Sequence, residues 1–156
     1  DIISVDAYRP PYIRPHMTTQ EFFKIAYDKL EEDGVLVINV GRTDTDRRLI
    51  NALATTMKVH FPSVHAMDLP LAYNTILFAT KQPTTRENLT DNIVAIWEDE
   101  TVNDLLRHAM NNTYTNFAEE PKSSIVFTDD KAPIEWMTNN LMLAFALGGE
   151  FSSLEP

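Results

Sequence analysis

The chain has 156 residues, enough for one domain with a single core, and its 44% hydrophobic and 23% charged content is ordinary for a globular protein. A net charge of −10 argues against nucleic acid or an anionic membrane surface as a partner; it suits a cationic substrate but is equally a common solubility device. The absence of cysteine excludes disulfides and thiolate metal sites and is compatible with a cytoplasmic location.

Ile2, Ile3 and Val5 form a short β-branched run that stops at Asp6, and Tyr8, Arg9, Pro10, Pro11 and Tyr12 follow at once. Such a run reads as a buried parallel strand opening into a Pro-rich loop, because proline lacks the N–H donor that a continuing strand needs. Asp6 is thus expected at the carboxyl edge of a sheet, where open α/β folds place ligands; a strand-end aspartate merely solvating the chain is the bland alternative. Thr18 and Glu21 have the spacing of a capping box, and Phe22, Phe23, Ala26, Tyr27 and Leu30 recur at helical spacing. Gly34 ends that unit. The run from Val35 to Val40 predicts a strand buried on both faces, and Leu49, Ile50, Leu53 and Met57 give a second helix face that stops before Pro62. Strand, helix, strand, helix predicts βα units of a parallel sheet.

Ser63 to Leu69 and Asn74 to Thr80 then read as two strands joined by four residues, too few for a parallel crossover, so they are predicted to be antiparallel neighbours. Two amphipathic helices follow. One carries Leu89, Ile93, Ile96 and Trp97, the other Val102, Leu105, Leu106, Ala109 and Met110, and a polar loop is expected over 111–124. Ile125 to Phe127 reads as an extended segment delivering Asp129 and Asp130 to a sheet edge, and Ile134, Met137, Leu141, Ala144 and Phe145 mark a last helix ended by Gly148 and Gly149. No apolar run approaches the roughly 18 residues of a spanning helix, and no basic-then-apolar leader is seen. The chain starts on a strand without methionine, which reads as a piece of a larger domain.

Several side chains are candidates for chemistry. Asp129 and Asp130 could line an active site or hold a metal, but capping of the last helix is the stronger expectation. Tyr8 and Tyr12 flank Asp6 and could wall an amine by cation–π contact or simply pack the loop. Tyr73 and Asn74 sit in the hairpin turn, where turn chemistry already explains an asparagine. His16, His60, His65 and His108 lack ligand spacing, no serine sits in a nucleophile elbow, and Trp97 and Trp136 are expected in the core.

The parallel units followed by an antiparallel hairpin resemble the carboxyl half of a class I methyltransferase-type Rossmann fold. More narrowly, Glu21-Phe22-Phe23, Leu30-x-x-Asp33-Gly34-Val35-Leu36, Phe61-Pro62-x-Val64, Pro70 and Ala79-Thr80-Lys81-Gln82-Pro83 together resemble spermidine synthase. Thr128-Asp129-Asp130-x-Ala132-Pro133-x-Glu135 resembles a branch of spermidine synthase-like proteins found alone or fused to membrane domains. The resemblance implies an α/β fold with parallel strands plus an antiparallel hairpin and helices packed on the sheet. It further implies residues 1–156 as a single, partial domain lacking the nucleoside-binding half, and aminopropyl transfer from decarboxylated S-adenosylmethionine to a small-molecule amine in polyamine biosynthesis. Methyl transfer from S-adenosylmethionine, and a catalytically silent domain of the same fold, are the alternatives. Asp6 matches the family's catalytic base, the first aspartate of an Asp-Ser-Ser/Thr-Asp-Pro loop. Tyr8, Arg9, Tyr12, Tyr73, Asp129 and Asp130 are the substrate-binding candidates.

Two departures stand out. Arg9 occupies the place of the family's second aspartate, which puts an ordinary diamine acceptor in doubt and favours silence. The four glycines, Gly34, Gly41, Gly148 and Gly149, form no Gly-x-Gly turn, so this segment alone is expected to be inactive and to bind no cofactor. With the preceding half removed, the first strand is expected to present a bare edge, so that the segment either pairs with a second copy as a homodimer or is an ordered remnant of a longer chain.

Overall fold

The computed structural model describes residues 1–6, 8–9 and 12–147. A four-stranded sheet in the order β1-β4-β6-β5 organises them, built from β1 (Ile2–Val5), β4 (Val35–Gly41), β6 (Asn74–Thr80) and β5 (Ser63–Asp68). β1 and β4 are parallel, with Val5 opposite Ile38, while β6 runs antiparallel to both β4 and β5. The carboxyl ends of β1, β4 and β5 therefore share one edge, together with the turn between β5 and β6. The four-residue argument for an antiparallel hairpin holds. Leu69 falls in the turn rather than the strand, donating its N–H to the Asn74 carbonyl at 2.9 Å. The fold is α/β with a mixed sheet, as the sequence pattern predicts.

The segment after β1 is more ordered than a loop. β2 (Tyr8–Arg9) and β3 (Tyr12–Ile13) pair as a small antiparallel ribbon, although Pro10 and Pro11 themselves lie outside the described residues. A 3-10 turn over Pro15–Met17 then leads into α1 (Gln20–Lys29). The cap of α1 is Thr19, whose Oγ1 accepts from the Phe22 N–H, and not Thr18. Thr18 is fully buried and donates its hydroxyl back to the Pro15 carbonyl at 2.6 Å. The expected capping box does not form: the cap moves by one residue to Thr19 because the preceding 3-10 turn consumes Thr18, and Phe22, three residues on, has no polar side chain to reciprocate.

α1 and α2 (Arg48–Met57) cover one face of the sheet. Phe23 and Ala26 from α1, and Leu49, Ile50, Leu53 and Met57 from α2, meet Leu36, Ile38, Val40, Leu77, Ala79, Val64 and Ala66 in the core. The expectation that β4 is buried on both faces fails. Its burial alternates strictly, with Leu36, Ile38 and Val40 sealed and Val35, Val37, Asn39 and Gly41 half-buried. The reason is that the second face is covered mainly at its β5 end, where Phe117 meets His65 and Phe78 with ring centroids 5.4 and 6.2 Å away.

α3 (Arg86–Glu98) and α4 (Asp104–Thr115) pack on each other and contribute no buried residue. Trp97 is 55% exposed, so it is not the core residue its helical spacing suggested, and Val102 lies before α4. α4 also occupies part of the region expected as a polar loop. Residues 125–127 do not join the sheet. Phe127 is instead buried across α1 and α2, donating its N–H to Thr56 Oγ1 at 3.0 Å and accepting from the Gln20 N–H at 2.9 Å. α5 (Ile134–Leu147) buries Ile134 and Met137 and contacts α2; Gly148 and Gly149 lie outside the described residues. No described helix is long and apolar enough to cross a membrane.

Candidate functional site

β1 delivers the candidate base because its last residue, Val5, is buried against the helices and Asp6 follows it, exposed, at the carboxyl edge. Continuing the parallel register one step past Val5 and Ile38 sets Asp6 beside Asn39 of β4. Neighbouring strands lie about 4.8 Å apart, so these two residues are within reach of one small ligand. Pleating puts Asp6 and Asn39 on the face away from α1 and α2, since Val5 and Ile38 point into the core. Asn74, at the start of β6, joins them: its Nδ2 donates to Asn39 Oδ1 at 2.9 Å. Tyr73 is 49% exposed in the adjoining turn and its carbonyl accepts from the Arg42 N–H at 2.8 Å.

The far corner of the same edge is an ion cluster. Asp68, ending β5, accepts two hydrogen bonds from the Arg47 guanidinium at 2.8 and 3.0 Å and one from Thr75 Oγ1 at 2.5 Å. Arg42, just past β4, places Nε 3.6 Å from the same carboxylate, and that Nε makes no hydrogen bond among the described residues. Burial by itself would raise the Asp68 pKa. The Arg47 and Thr75 hydrogen bonds and the two guanidinium charges outweigh it and hold the carboxyl below the usual range. Asp68 is therefore an anion already engaged by two cations.

Asp129 and Asp130 are placed elsewhere. Asp129 Oδ1 accepts from Thr19 Oγ1 at 2.7 Å, and its N–H donates to Glu21 Oε2 at 3.1 Å, so it ties the segment before α5 to the start of α1. Asp130 is exposed in the turn from Thr128 to Lys131, and no described hydrogen bond joins it to α5, whose first turn opens with the Ile134 N–H on the Ala132 carbonyl. The expected capping of α5 by Asp130 is thus not found among the described hydrogen bonds, and its neighbour Asp129 clasps a different helix. No described hydrogen bond or ion pair links either aspartate to Asp6. The backbones of Tyr8, Arg9 and Tyr12 belong to the β2–β3 ribbon beyond Asp6, and their side chains lie outside the described residues.

Among the described residues no three histidine or acidic side chains cluster as a metal site. A cavity at the outer edge of β5, lined by Lys58, His65, Thr84, Phe117 and Glu120, lies away from Asp6, and its acid and base are already paired as Lys58–Glu120. Sequence reasoning missed Asn39, Arg42, Arg47, Asp68 and Thr75. Asn39 had left a signal, as the one polar residue in the run Val35 to Val40.

An exposed aspartate at the carboxyl end of a parallel strand stands where open α/β sheets place their ligands. No protein-family model matches the chain. Across 148 aligned residues it is 32% identical to a probable polyamine aminopropyl transferase of Bifidobacterium longum (strain NCC 2705), covering 86% of this chain and 33% of that protein. The chain spans about a third of the length of the curated relative it matches. A crystal structure of a probable spermidine synthase from Corynebacterium glutamicum ATCC 13032 aligns over the whole chain and 50% of its own, with a TM-score of 0.49 and 19% identity.

Proposed function

We propose that this segment is the acceptor side of an aminopropyltransferase, moving the aminopropyl group of decarboxylated S-adenosylmethionine onto an amine. The observation that carries the reading is Asp6: it matches the family base and stands exposed at the carboxyl end of β1, beside β4. An amine arrives protonated near neutral pH, and a carboxylate both attracts it and can take its proton. The nitrogen then forms its bond to the aminopropyl carbon while the carbon–sulfur bond breaks. The bonding pair stays on sulfur, which becomes a neutral thioether, and the proton goes to Asp6.

The described glycines do not form a nucleoside cradle. Gly34 is a packing residue, where a Cβ would come within 2.6 Å of Asp1 Oδ1 and 2.8 Å of Leu30, and Gly41 ends β4. The contribution read from this segment is therefore to the acceptor and its proton. In the protein at its natural length, Asp6→Asn should lower turnover at least about 100-fold, the smaller end of what loss of a positioned base costs. Wild-type turnover in that variant would remove Asp6 from the mechanism and the reading with it.

A further inference from the structure

We infer that the outer edge of β5 is a second small-molecule site, taking a planar nucleobase that carries an amino group beside a ring nitrogen, as adenine does. The inference does not rest on Asp6. β5 runs parallel to β4 and lies last in the sheet order, so Ser63 to Ala66 stand at the opposite end and the opposite side of the sheet from Asp6.

The site is a ladder that stops early. By the alternation of an antiparallel strand, Ser63, His65 and Met67 turn their backbone groups toward β6 while Val64, Ala66 and Asp68 turn theirs outward. The segment after α4 pairs with only part of that outer side. Asp68 donates its N–H to the Asn116 carbonyl at 3.0 Å, and Ala118 donates its N–H to the Ala66 carbonyl at 2.9 Å. Among the described hydrogen bonds, none returns from the Ala66 N–H to Ala118, and none uses the outward N–H or C=O of Val64. Both residues are buried, and backbone groups of buried residues are matched in nearly every protein. The edge thus offers an acceptor, the Val64 carbonyl, next to a donor, the Ala66 N–H.

A cavity of about 500 Å³ lies against these groups, within the range of small-molecule sites. Lys58 and Phe61, past the end of α2, wall it on the helix side. His65 and Thr84, joined Nε2 to Oγ1 at 2.9 Å, wall it on the other. A flat ring level with the sheet fits between the two walls. An added peptide strand does not, because Ala118 already stands opposite Ala66 and Ser123 donates its N–H to Thr55 of α2 at 3.0 Å, which carries residues 118–123 across its path. The charged wall residues Lys58 and Glu120 pair with each other, and burial lowers the His65 pKa, so the lining suits a neutral base over an ion. The amino group of such a base donates to the Val64 carbonyl, and its ring nitrogen accepts from the Ala66 N–H.

The test is hydrogen exchange read residue by residue on the protein at its natural length, with adenine as the probe and adenine dimethylated on its amino group as the control. Without ligand, the Val64 and Ala66 amides should exchange at least about tenfold faster than those of His65 and Met67, which β6 holds. Adenine at about ten times its Kd should slow Ala66 roughly tenfold. The dimethylated base has no N–H for the Val64 carbonyl and should need about tenfold more ligand for the same protection, the value of one hydrogen bond. Ala118→Leu, which fills the slot, should abolish the protection while His65 and Met67 stay slow; should that variant not fold, the two bases in the wild type decide. Adenine held only at a nucleoside site elsewhere in the protein would leave Ala66 unprotected and overturn the inference. So would equal protection by the two bases, protection that survives in a folded Ala118→Leu, or an Ala66 amide as slow as His65 in the free protein.

Discussion

Replacing Asp68 by asparagine tests how the candidate site is framed. The carboxylate accepts two hydrogen bonds from Arg47, at 2.8 and 3.0 Å, and so pins the start of α2 to the end of β5. Hydrogen bonds to a charged group contribute roughly 1.5–3 kcal/mol each. The Asp68 and Arg47 side chains are both 30% exposed, so water screens the pair and a total near 2 kcal/mol is the reasonable expectation. For a domain of this size that is a fall in Tm of about 4–8 °C. The pH dependence has a definite sign. The folded pKa of Asp68 lies below its ordinary value, so its stabilisation is fully present above the unfolded carboxylate pKa and is lost as the pH falls through the folded one. Wild type and Asp68→Asn should therefore differ in urea denaturation at pH 7 and converge in acid. Equal stability at pH 7, or a gap that persists once the carboxyl is protonated, would refute the assignment.

The other expectations concern packing, turn strain and the free edge. Thr56→Val removes the hydroxyl that accepts from the buried Phe127 N–H and donates to the Ala52 carbonyl; about 1–3 kcal/mol should be lost, with faster hydrogen exchange at Phe127, and unchanged exchange there would contradict the clasp. Leu71 holds φ at 60° in the β5–β6 turn while fully exposed, so Leu71→Asn should stabilise by roughly 0.5–1 kcal/mol, since asparagine tolerates the left-handed region better; a lower Tm would show that the strain estimate is wrong. β1 pairs only with β4 among the described residues and Ile2 is 72% exposed. The 156-residue chain should therefore self-associate in light scattering, and Ile2→Lys should weaken that association; a clean monomer at high concentration would exclude the edge as a contact.

Much of the framework was legible because it depends on local pattern. A continuous apolar run located β4, period-3.6 spacing located α1 and α2, and four residues between two strands left only an antiparallel hairpin. Asp6 at the carboxyl end of β1 followed from a β-branched run meeting a Pro-rich segment. Tertiary structure decided what local pattern leaves open. Thr18 and Thr19 are both plausible caps, and only the 3-10 turn before them makes Thr19 the one used. Asp130 looked like a cap for the helix that follows it, yet no described hydrogen bond joins it to α5, while Phe127 inserted between α1 and α2 carries the neighbouring Asp129 to Thr19, 110 positions away in the chain. Trp97 has the spacing of a core residue, but α3 and α4 pack on each other away from the core, bury no residue and leave Trp97 exposed. The row of Asp6, Asn39 and Asn74 exists only through the register of three strands, which no single segment encodes. Spacing along a chain determines which face a residue takes; which residues from distant segments share that face is determined by pairing between strands.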